Sequence, residues 1–280
     1  MADILRVRIL GCGSSPGVPR IGGDWGACDP AEPRNRRLRC SALVERVKPS
    51  GEATQVLVDT SPDLREQALA AELTKIDGVL YTHPHADHIH GIDDLRGFVM
   101  TMRRRVDIYA DRPTMERLEE GFGYCIRTPE GSEYPPIVNA HVIEPAKPVV
   151  IDGPGGRLTA LPFRQIHGSM PSLGYRFGGF AYSPDVSGLT GEALAALHGV
   201  DIWVLDALRH KPHPSHFSVE EALGVIETVR PRRAILTHMH VDLDYNALKR
   251  ELPENVEPAY DGMVVELAYD PDERRPARRG

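Results

Sequence analysis

The chain has 280 residues, 41% hydrophobic and 26% charged, which is the balance of a globular protein able to bury a core. Its net charge of −7 and isoelectric point near 5.9 exclude the overall basic field of a general nucleic-acid-binding protein. The four cysteines are scattered without a CxxC pair, which excludes a disulfide framework and a four-cysteine zinc site.

The first residues, MADILRVRIL, carry charges at Asp3, Arg6 and Arg8 and lack the apolar centre of a signal peptide. No apolar run reaches the ~18 residues that a membrane-spanning helix needs. Free thiols suit a reducing compartment. We therefore expect a cytoplasmic protein without a membrane partner.

Short apolar runs rich in β-branched residues predict strands, and helical stretches lie between some of them. The predicted strands are 5–10, 41–47, 54–59, 78–82, 106–110, 157–163, 175–183, 202–207 and 234–238. The predicted helices are 61–73, 112–122, 190–199 and 218–230. Ser61 is the predicted N-cap of the first helix, with Pro62 at its first position, and Ser218 forms a capping box with Glu221.

Strands and helices mix throughout the chain, with several consecutive strands before each helix. This order predicts a layered α/β or α+β fold. Because no low-complexity linker interrupts the chain, we predict a single domain over residues 1–270. The charged, proline-containing residues 271–280 are predicted to form a frayed tail.

The stretch YTHPHADHIHG, residues 81–91, holds four of the 12 histidines. Pro84 favours extended backbone at His83, so the side chains of His83 and His85 should converge on one point. Asp87 and His88 follow where the chain turns toward a helix, and they should face a different point nearby. The pattern therefore predicts a site for two metal ions.

Further candidate ligands lie just past other predicted strands, where loops meet at one edge of a sheet. They are Asp59, which ends VLVD, His167 after LTALPF, Asp185 after AYS and His238, which ends AILTH. A single histidine after a strand is more often structural, but this set agrees with the histidine stretch.

HPHADH resembles the HxHxDH signature of the metallo-β-lactamase superfamily, and the strand-end residues follow the order of its other motifs. The resemblance covers nearly the whole chain and implies a four-layer αβ/βα sandwich with the site along one edge. It implies that Asp59 orients the histidine stretch without touching metal. The implied ligands are His83, His85 and His167 for one ion, Asp87, His88 and His238 for the other, and Asp185 between the two.

The implied cofactors are two divalent ions, Zn or Mn, which share a hydroxide that can attack a substrate at neutral pH. Imidazole and carboxylate donors without a cysteine suit these ions and do not select strongly for zinc. A carboxylate between the ions favours a substrate with phosphate oxygens over a lactam.

The segment ILGCGSSPGVP, followed by RLRCS, is similar to the phosphoribosyl 1,2-cyclic phosphate phosphodiesterase subfamily. This subfamily resemblance places a catalytic histidine at His216, which can hydrogen-bond a phosphate oxygen or protonate the leaving alkoxide. Asp87 and His216 are thus the predicted catalytic residues. His213 and Arg20 are candidates for binding the substrate, as is the cluster Arg103–Arg105, although a solvated surface also explains that cluster.

Members of this subfamily can carry a third, structural zinc on a cysteine cluster in the early loop. Here only Cys28 is present, because Gly23 and Trp25 stand at the other cysteine positions, and His240 is an uncertain match to the late histidine ligand. We therefore predict no third zinc. The departure leaves open whether the substrate is the same cyclic phosphate.

The expected function is hydrolysis of a small phosphodiester, cyclic or open, by a metallo-hydrolase. The alternatives are an endoribonuclease of the tRNA 3′-processing type, a thioester hydrolase, or a metal-dependent binding protein on the same fold. Strong general binding of nucleic acid is not expected. A homodimer is plausible by resemblance.

Overall fold

The computed structural model describes residues 2–269, so the predicted tail over 271–280 lies outside the described residues. The strands of the first half are β1 (Ile4–Gly11), β2 (Ser41–Val47), β3 (Ala53–Val58), β4 (Gly78–Leu80), β5 (Val106–Ala110) and β6 (Val138–Val142). Those of the second half are β7 (Val149–Ile151), β8 (Leu158–His167), β9 (Met170–Phe177), β10 (Phe180–Ser183), β11 (Gly188–Leu189), β12 (Ile202–Asp206), β13 (Arg233–Thr237), β14 (Val256–Pro258) and β15 (Val264–Ala268).

The α-helices lie between these strands, and the second of them lies within the histidine stretch. They are α1 (Leu64–Ala70), α2 (Ala86–Ile89), α3 (Leu95–Met102), α4 (Arg112–Ile126), α5 (Gly191–Leu197), α6 (Val219–Val229) and α7 (Tyr245–Glu251). Among residues 2–269, no helix has the length and apolar character needed to cross a membrane.

The strands form two sheets. The first has the order β15-β1-β2-β3-β4-β5-β6, and the second has the order β11-β8-β9-β10-β12-β13-β14 with β7 beside β8. The pairs β3–β4, β4–β5 and β5–β6 are parallel in the first sheet, as are β10–β12, β12–β13 and β13–β14 in the second. Side chains at the carboxyl ends of these strands therefore collect at one edge of each sheet.

The two sheets pack face to face through one apolar layer, which includes Val7 and Val56 of the first sheet and Phe163 and Val204 of the second. A second apolar cluster joins the other face of the first sheet to helices α1, α3 and α4. Helix α6 packs on the second sheet through Ala222 and Ile226. The predicted mixed α/β sandwich with helices outside two sheets is confirmed.

Two differences between the predicted elements and the structure concern a turn and a helix start. The predicted strand 175–183 is a hairpin, because β9 and β10 are separated by a turn at Gly178, whose φ of +57° favours glycine. Helix α1 starts at Leu64 after the N-cap Asp63, so the predicted cap at Ser61 is wrong. The Ser61 hydroxyl accepts from the backbone N–H of Asp63 and donates to Gln67, which stabilises the turn before the helix.

The predicted capping box of α6 is confirmed. The Ser218 hydroxyl accepts from the Glu221 backbone N–H at 3.2 Å, and the Glu221 carboxylate accepts from the Ser218 backbone N–H at 2.8 Å. This start of α6 fixes the end of the loop that carries His216, two residues earlier.

Candidate metal centre

The histidine stretch leaves the carboxyl end of β4 and turns into the short helix α2. Its backbone is clamped to the segment after β3, because Thr60 N–H donates to the His88 carbonyl and Gly91 N–H donates to the Thr60 carbonyl, both at 2.9 Å. A Cβ at Gly91 would lie 2.0 Å from the Ser61 carbonyl oxygen, so only glycine permits this approach. The clamp fixes the direction of the histidine side chains.

Three of the predicted histidines converge at one point. His83 Nε2 lies 2.9 Å from His85 Nδ1, and His167 Nε2 lies 3.2 Å from the same atom. Together with an Asp185 oxygen, their donor atoms all lie within 4.8 Å of one another. His85 is the exposed member of the set and marks its open side.

The second predicted set, Asp87, His88 and His238, also brings its donor atoms within 4.8 Å of one another. Asp185 lies between the two sets. Its Oδ1 is 3.0 Å from His88 Nε2, and its Oδ2 is 3.4 Å from His238 Nε2 and 3.7 Å from His83 Nε2. The arrangement therefore has the two adjoining points that the sequence predicted, with one carboxylate shared by both.

Hydrogen bonds on the far ring nitrogens fix where several of these imidazoles carry their proton. His167 Nδ1 lies 2.6 Å from the Ser215 carbonyl, which can only accept, so the proton is on Nδ1 and Nε2 keeps its lone pair. His88 Nδ1 donates in the same way to Asp59 at 2.7 Å. Both imidazoles thus turn Nε2 toward the centre, as metal-ligating histidines do.

Asp59 contacts His88 and Thr82 on the side that faces away from the candidate metal positions. Its carboxylate accepts from the Thr82 backbone N–H and hydroxyl, both at 2.8 Å, as well as from His88. The Thr82 hydroxyl, having given its proton to Asp59, accepts from His83 Nδ1 at 3.0 Å. Asp59 has a φ of +65°, an uncommon backbone conformation for a non-glycine residue that recurs at functional sites.

Several buried atoms that would ligate a metal lack a hydrogen-bond partner. Asp87 Oδ2, His88 Nε2, Asp185 Oδ1 and both ring nitrogens of His238 are buried without a hydrogen-bond partner. Leaving such atoms unsatisfied costs free energy, and bound cations between them would remove that cost. The residues present therefore fit divalent metal ions, with nitrogen and oxygen donors only.

The electrostatics of the centre agree with this fit. Burial alone would lower the pKa of His88, but the carboxylates of Asp185, Asp59 and Asp87 raise it well above its usual value. Burial would raise the pKa of Asp185, but the surrounding histidines lower it well below its usual value. Burial lowers the pKa of His167 to about 4, so this imidazole is neutral at pH 7. The centre thus concentrates negative charge that favours a cation.

His216 stands at the edge of the centre. Its ring stacks on that of His238 with 4.5 Å between centroids and lies 4.7 Å from that of His167. Its Nδ1 is 2.7 Å from Asp206 Oδ2, so Nε2 is the nitrogen available to a substrate. The structure therefore places His216 beside the candidate ligands, and its catalytic role stays a prediction.

Asp206, at the end of β12, is the site residue that the sequence analysis missed. It is fully buried, accepts from the Val186 backbone N–H at 3.0 Å, and its Oδ1 lies 3.8 Å from His238 Nδ1. The run IWVLD ends in aspartate in the same way as VLVD ends in Asp59, and this signal could have identified it.

Other predicted residues are placed around the centre or away from it. His213 is adjacent to His216, with 5.2 Å between ring centroids, and Arg20 contacts His240 Nε2. Arg104 pairs with Asp77 at 2.9 Å, just before β4 begins. The Arg103–Arg105 cluster therefore lies at the amino end of β4, whereas the histidine stretch leaves its carboxyl end. As a candidate for binding substrate beside the metal ions, this cluster was wrong.

Cys28 is buried in the early loop, and its thiol contacts the carbonyls of Val241 and Leu243 at 3.3 and 3.4 Å. The guanidinium of Arg37 lies beside it, 3.8 Å from the sulfur. In place of further cysteines, a buried arginine thus holds this loop to the segment after β13. The absence of a third zinc stays a prediction.

Comparisons with known proteins agree with the geometry. The β-lactamase superfamily domain matches residues 54–239. A protein from Porphyromonas gingivalis (strain ATCC BAA-308 / W83) named octanoyltransferase is 31% identical over 264 residues, which is 92% of this chain and 51% of that protein. The chain therefore spans about half the length of this curated relative.

Among solved structures, a diphosphatase from the PhnP family is 36% identical, with a TM-score of 0.85 over 96% of this chain and 99% of that one. Zn²⁺-bound PqqB from Methylobacterium extorquens has a TM-score of 0.70 at 19% identity over 94% of this chain and 100% of that one, and shows the fold alone. The chain therefore belongs to the β-lactamase superfamily, as a metallo-hydrolase similar to the PhnP-family diphosphatase.

Proposed function

We propose that the protein hydrolyses a P–O bond of a small phosphodiester at a pair of Zn or Mn ions. The observation that carries the proposal is the position of Asp185, whose carboxylate lies within 4 Å of ring nitrogens from both ligand sets and of His216. A shared carboxylate keeps the centre oxygen-rich, which suits ions that hold phosphate oxygens.

When bound, the ions would lower the pKa of a coordinated water and draw charge from the phosphate oxygens. The chain's own groups do the rest. Burial would raise the pKa of Asp87, but His88 and His238 lower it, so the carboxylate stays ionised and can accept a hydrogen bond from the attacking water. His216 Nε2 can donate to a phosphate oxygen or protonate the leaving alkoxide.

The similar structures support phosphate chemistry to different degrees. The PhnP-family neighbour is a diphosphatase and shares 36% identity, so we include esters of diphosphate in the proposed substrate class. Human tRNase Z (short form) and the long form of RNase Z from yeast share only 17% and 16% identity. Because that likeness concerns the fold alone, it does not favour an RNA substrate.

The test is hydrolysis of bis(p-nitrophenyl) phosphate by protein reconstituted with Zn or Mn. We expect metal-dependent turnover, and His216→Ala should lower kcat by about 10²–10⁴-fold if His216 transfers a proton. His210→Ala is the matched control, because His210 is on the same loop but is exposed and paired with Glu251 at 3.6 Å. Full activity of His216→Ala, or turnover of thioesters and of no phosphate ester, would contradict the proposal.

A further inference from the structure

Basic side chains line one side of the metal centre beyond the candidate ligands. They lie on the early loop, on the loop before His216 and just after His238. We call them the basic rim: Arg20, Arg209, His213 and His240. The His240 backbone N–H donates to the Leu208 carbonyl at 3.0 Å, which joins two of these segments.

Arg20 is held in place at both ends of its guanidinium. One terminal nitrogen contacts His240 Nε2, and the other donates to Asp24 Oδ2 at 3.3 Å. Because arginine can only donate, His240 Nε2 is unprotonated and the ring proton is on Nδ1, which lies 3.0 Å from the Asp242 carboxylate without being aligned for a hydrogen bond. The Arg20 side chain is still 34% exposed, so it can bind a ligand.

His213 presents a donor without a protein acceptor. The Ser215 backbone N–H donates to His213 Nδ1 at 3.3 Å, so the ring proton must be on Nε2. Burial, followed by the charges of His216 and Arg209, lowers the pKa of His213, which keeps the ring neutral at pH 7. Within residues 2–269, no group accepts a hydrogen bond from this Nε2–H.

Arg209 is the rim residue at the start of the loop that leads to His216. Its guanidinium donates to the carbonyls of Lys211 and Pro212, both at 3.2 Å, which fixes it over the loop. The Arg209 carbonyl accepts from the Val219 backbone N–H at 3.0 Å, which ties this part of the loop to the start of α6. The rim therefore combines the guanidinium charges of Arg209 and Arg20, the latter paired with Asp24, with two neutral imidazoles.

We propose that the basic rim binds a second phosphate of the substrate, joined through an anhydride oxygen to the phosphate at the metal centre. This rests on the proposed phosphoester hydrolysis and deepens it. Water forms the new P–O bond and gives up a proton, and the anhydride P–O bond breaks. The departing phosphate monoester takes the electron pair, and Arg20 and His213 Nε2–H stabilise its added charge.

The experiment compares two substrates that both yield thymidine 5′-monophosphate, measured by anion-exchange chromatography. One is the p-nitrophenyl ester of thymidine 5′-monophosphate, and the other is dithymidine 5′,5′-diphosphate. Arg20→Ala and His213→Ala should each lose about 10-fold or more additional kcat/KM on the diphosphate relative to the single-phosphate ester. Arg20→Lys should show a smaller selective loss, since lysine keeps the charge but not the fork of donors.

Arg103→Ala is the control, because it removes the same charge far from the metal centre. Its ratio of kcat/KM on the diphosphate to kcat/KM on the single-phosphate ester should equal that of the wild type. Equal losses on both substrates in the Arg20 and His213 variants, or no loss on either, would overturn the rim proposal. So would a wild type that cleaves only the single-phosphate ester, and the proposed function would then stand. A metal-loaded wild type that cleaves neither substrate would overturn both proposals.

Discussion

At the scale of single residues, His216 and Asp206 act as one unit. Burial raises the pKa of Asp206 well above its usual value and lowers that of His216. One proton lies between Oδ2 and Nδ1, and a second proton, on Nε2, is the one that His216 would donate to a substrate. The contact of 2.7 Å fixes the tautomer and the direction of Nε2. In the proposed reaction, Asp206 is therefore a positioning residue, whereas His216 is the group that would reach the substrate.

Asp206→Asn tests this role. We expect kcat to fall by about 10- to 100-fold with a smaller change in KM, because the amide does not fix His216 as firmly. A neutral side chain also stabilises the imidazolium less, so the pKa of His216 falls. If His216 donates a proton, the alkaline limb of the pH–rate profile should move to lower pH.

Asp107→Asn is the matched control. It breaks an Asp–His pair of similar length, 2.8 Å to His141, on an exposed part of the surface. Its kcat and pH profile should equal those of the wild type. Metal content is measured for each variant, and a loss of activity in Asp206→Asn that simply follows a loss of metal would contradict a positioning role.

The candidate ligands could be predicted from the sequence because they are concentrated in one short stretch and at strand ends. Proline at 84 and the alternation of an extended chain were enough to bring His83 and His85 together. Asp206 was missed because its partner His216 lies ten residues away on another segment. The ring nitrogen on which His167 carries its proton could not be predicted. It depends on the Ser215 carbonyl, which only the tertiary structure brings into contact.

At the scale of elements, predictions held where the pattern was long and strongly apolar. Strands β2 and β5 match their predicted bounds, and β12 and β13 differ by a single residue at their ends. Strands β6 and β15, at the two edges of the first sheet, were missed, as was β14 at an edge of the second. Edge strands carry shorter or more polar patterns, since one side of the ladder faces away from the sheet. One strand was predicted over 175–183, where β9 and β10 form a hairpin, because the two glycines of its turn lie within an apolar run.

The early loop depends on Arg37, whose side chain is almost fully buried. Its guanidinium donates to the carbonyls of His240 and Leu243 at 3.3 and 2.6 Å and to Asn35 at 3.1 Å. Arg37→Ala leaves these acceptors without a partner, so we expect the free energy of unfolding to fall by about 2–4 kcal/mol in urea. Arg117→Ala removes an exposed arginine and should cost about 0.5 kcal/mol or less. An equal effect of both variants would show that the buried arginine does not hold this loop.

At the scale of the whole molecule, the metal centre joins the two sheets. His83, His85, Asp87 and His88 follow a strand of the first sheet. His167 ends a strand of the second sheet, and Asp185 and His238 follow strands of that sheet. A Cβ at Gly168 would lie 2.8 Å from the Ser215 Cβ, so glycine after His167 allows the His216 loop to close on the second sheet. Ligands from both sheets make metal binding contribute to the stability of the sandwich as well as to its chemistry.

Removal of metal should therefore destabilise the fold. A ligand that binds only the folded state at about 100 times its Kd adds about 2.7 kcal/mol per site, which corresponds to a rise of about 5–10 °C in Tm. We expect a chelator to lower Tm by this amount for each ion that it removes and added Zn to restore it. His83→Ala should lose most of the metal-dependent shift. His90→Ala, a change in the same stretch at an exposed histidine outside both ligand sets, should keep it. A wild-type Tm that does not respond to chelation and readdition of metal would show that the ions do not link the two sheets.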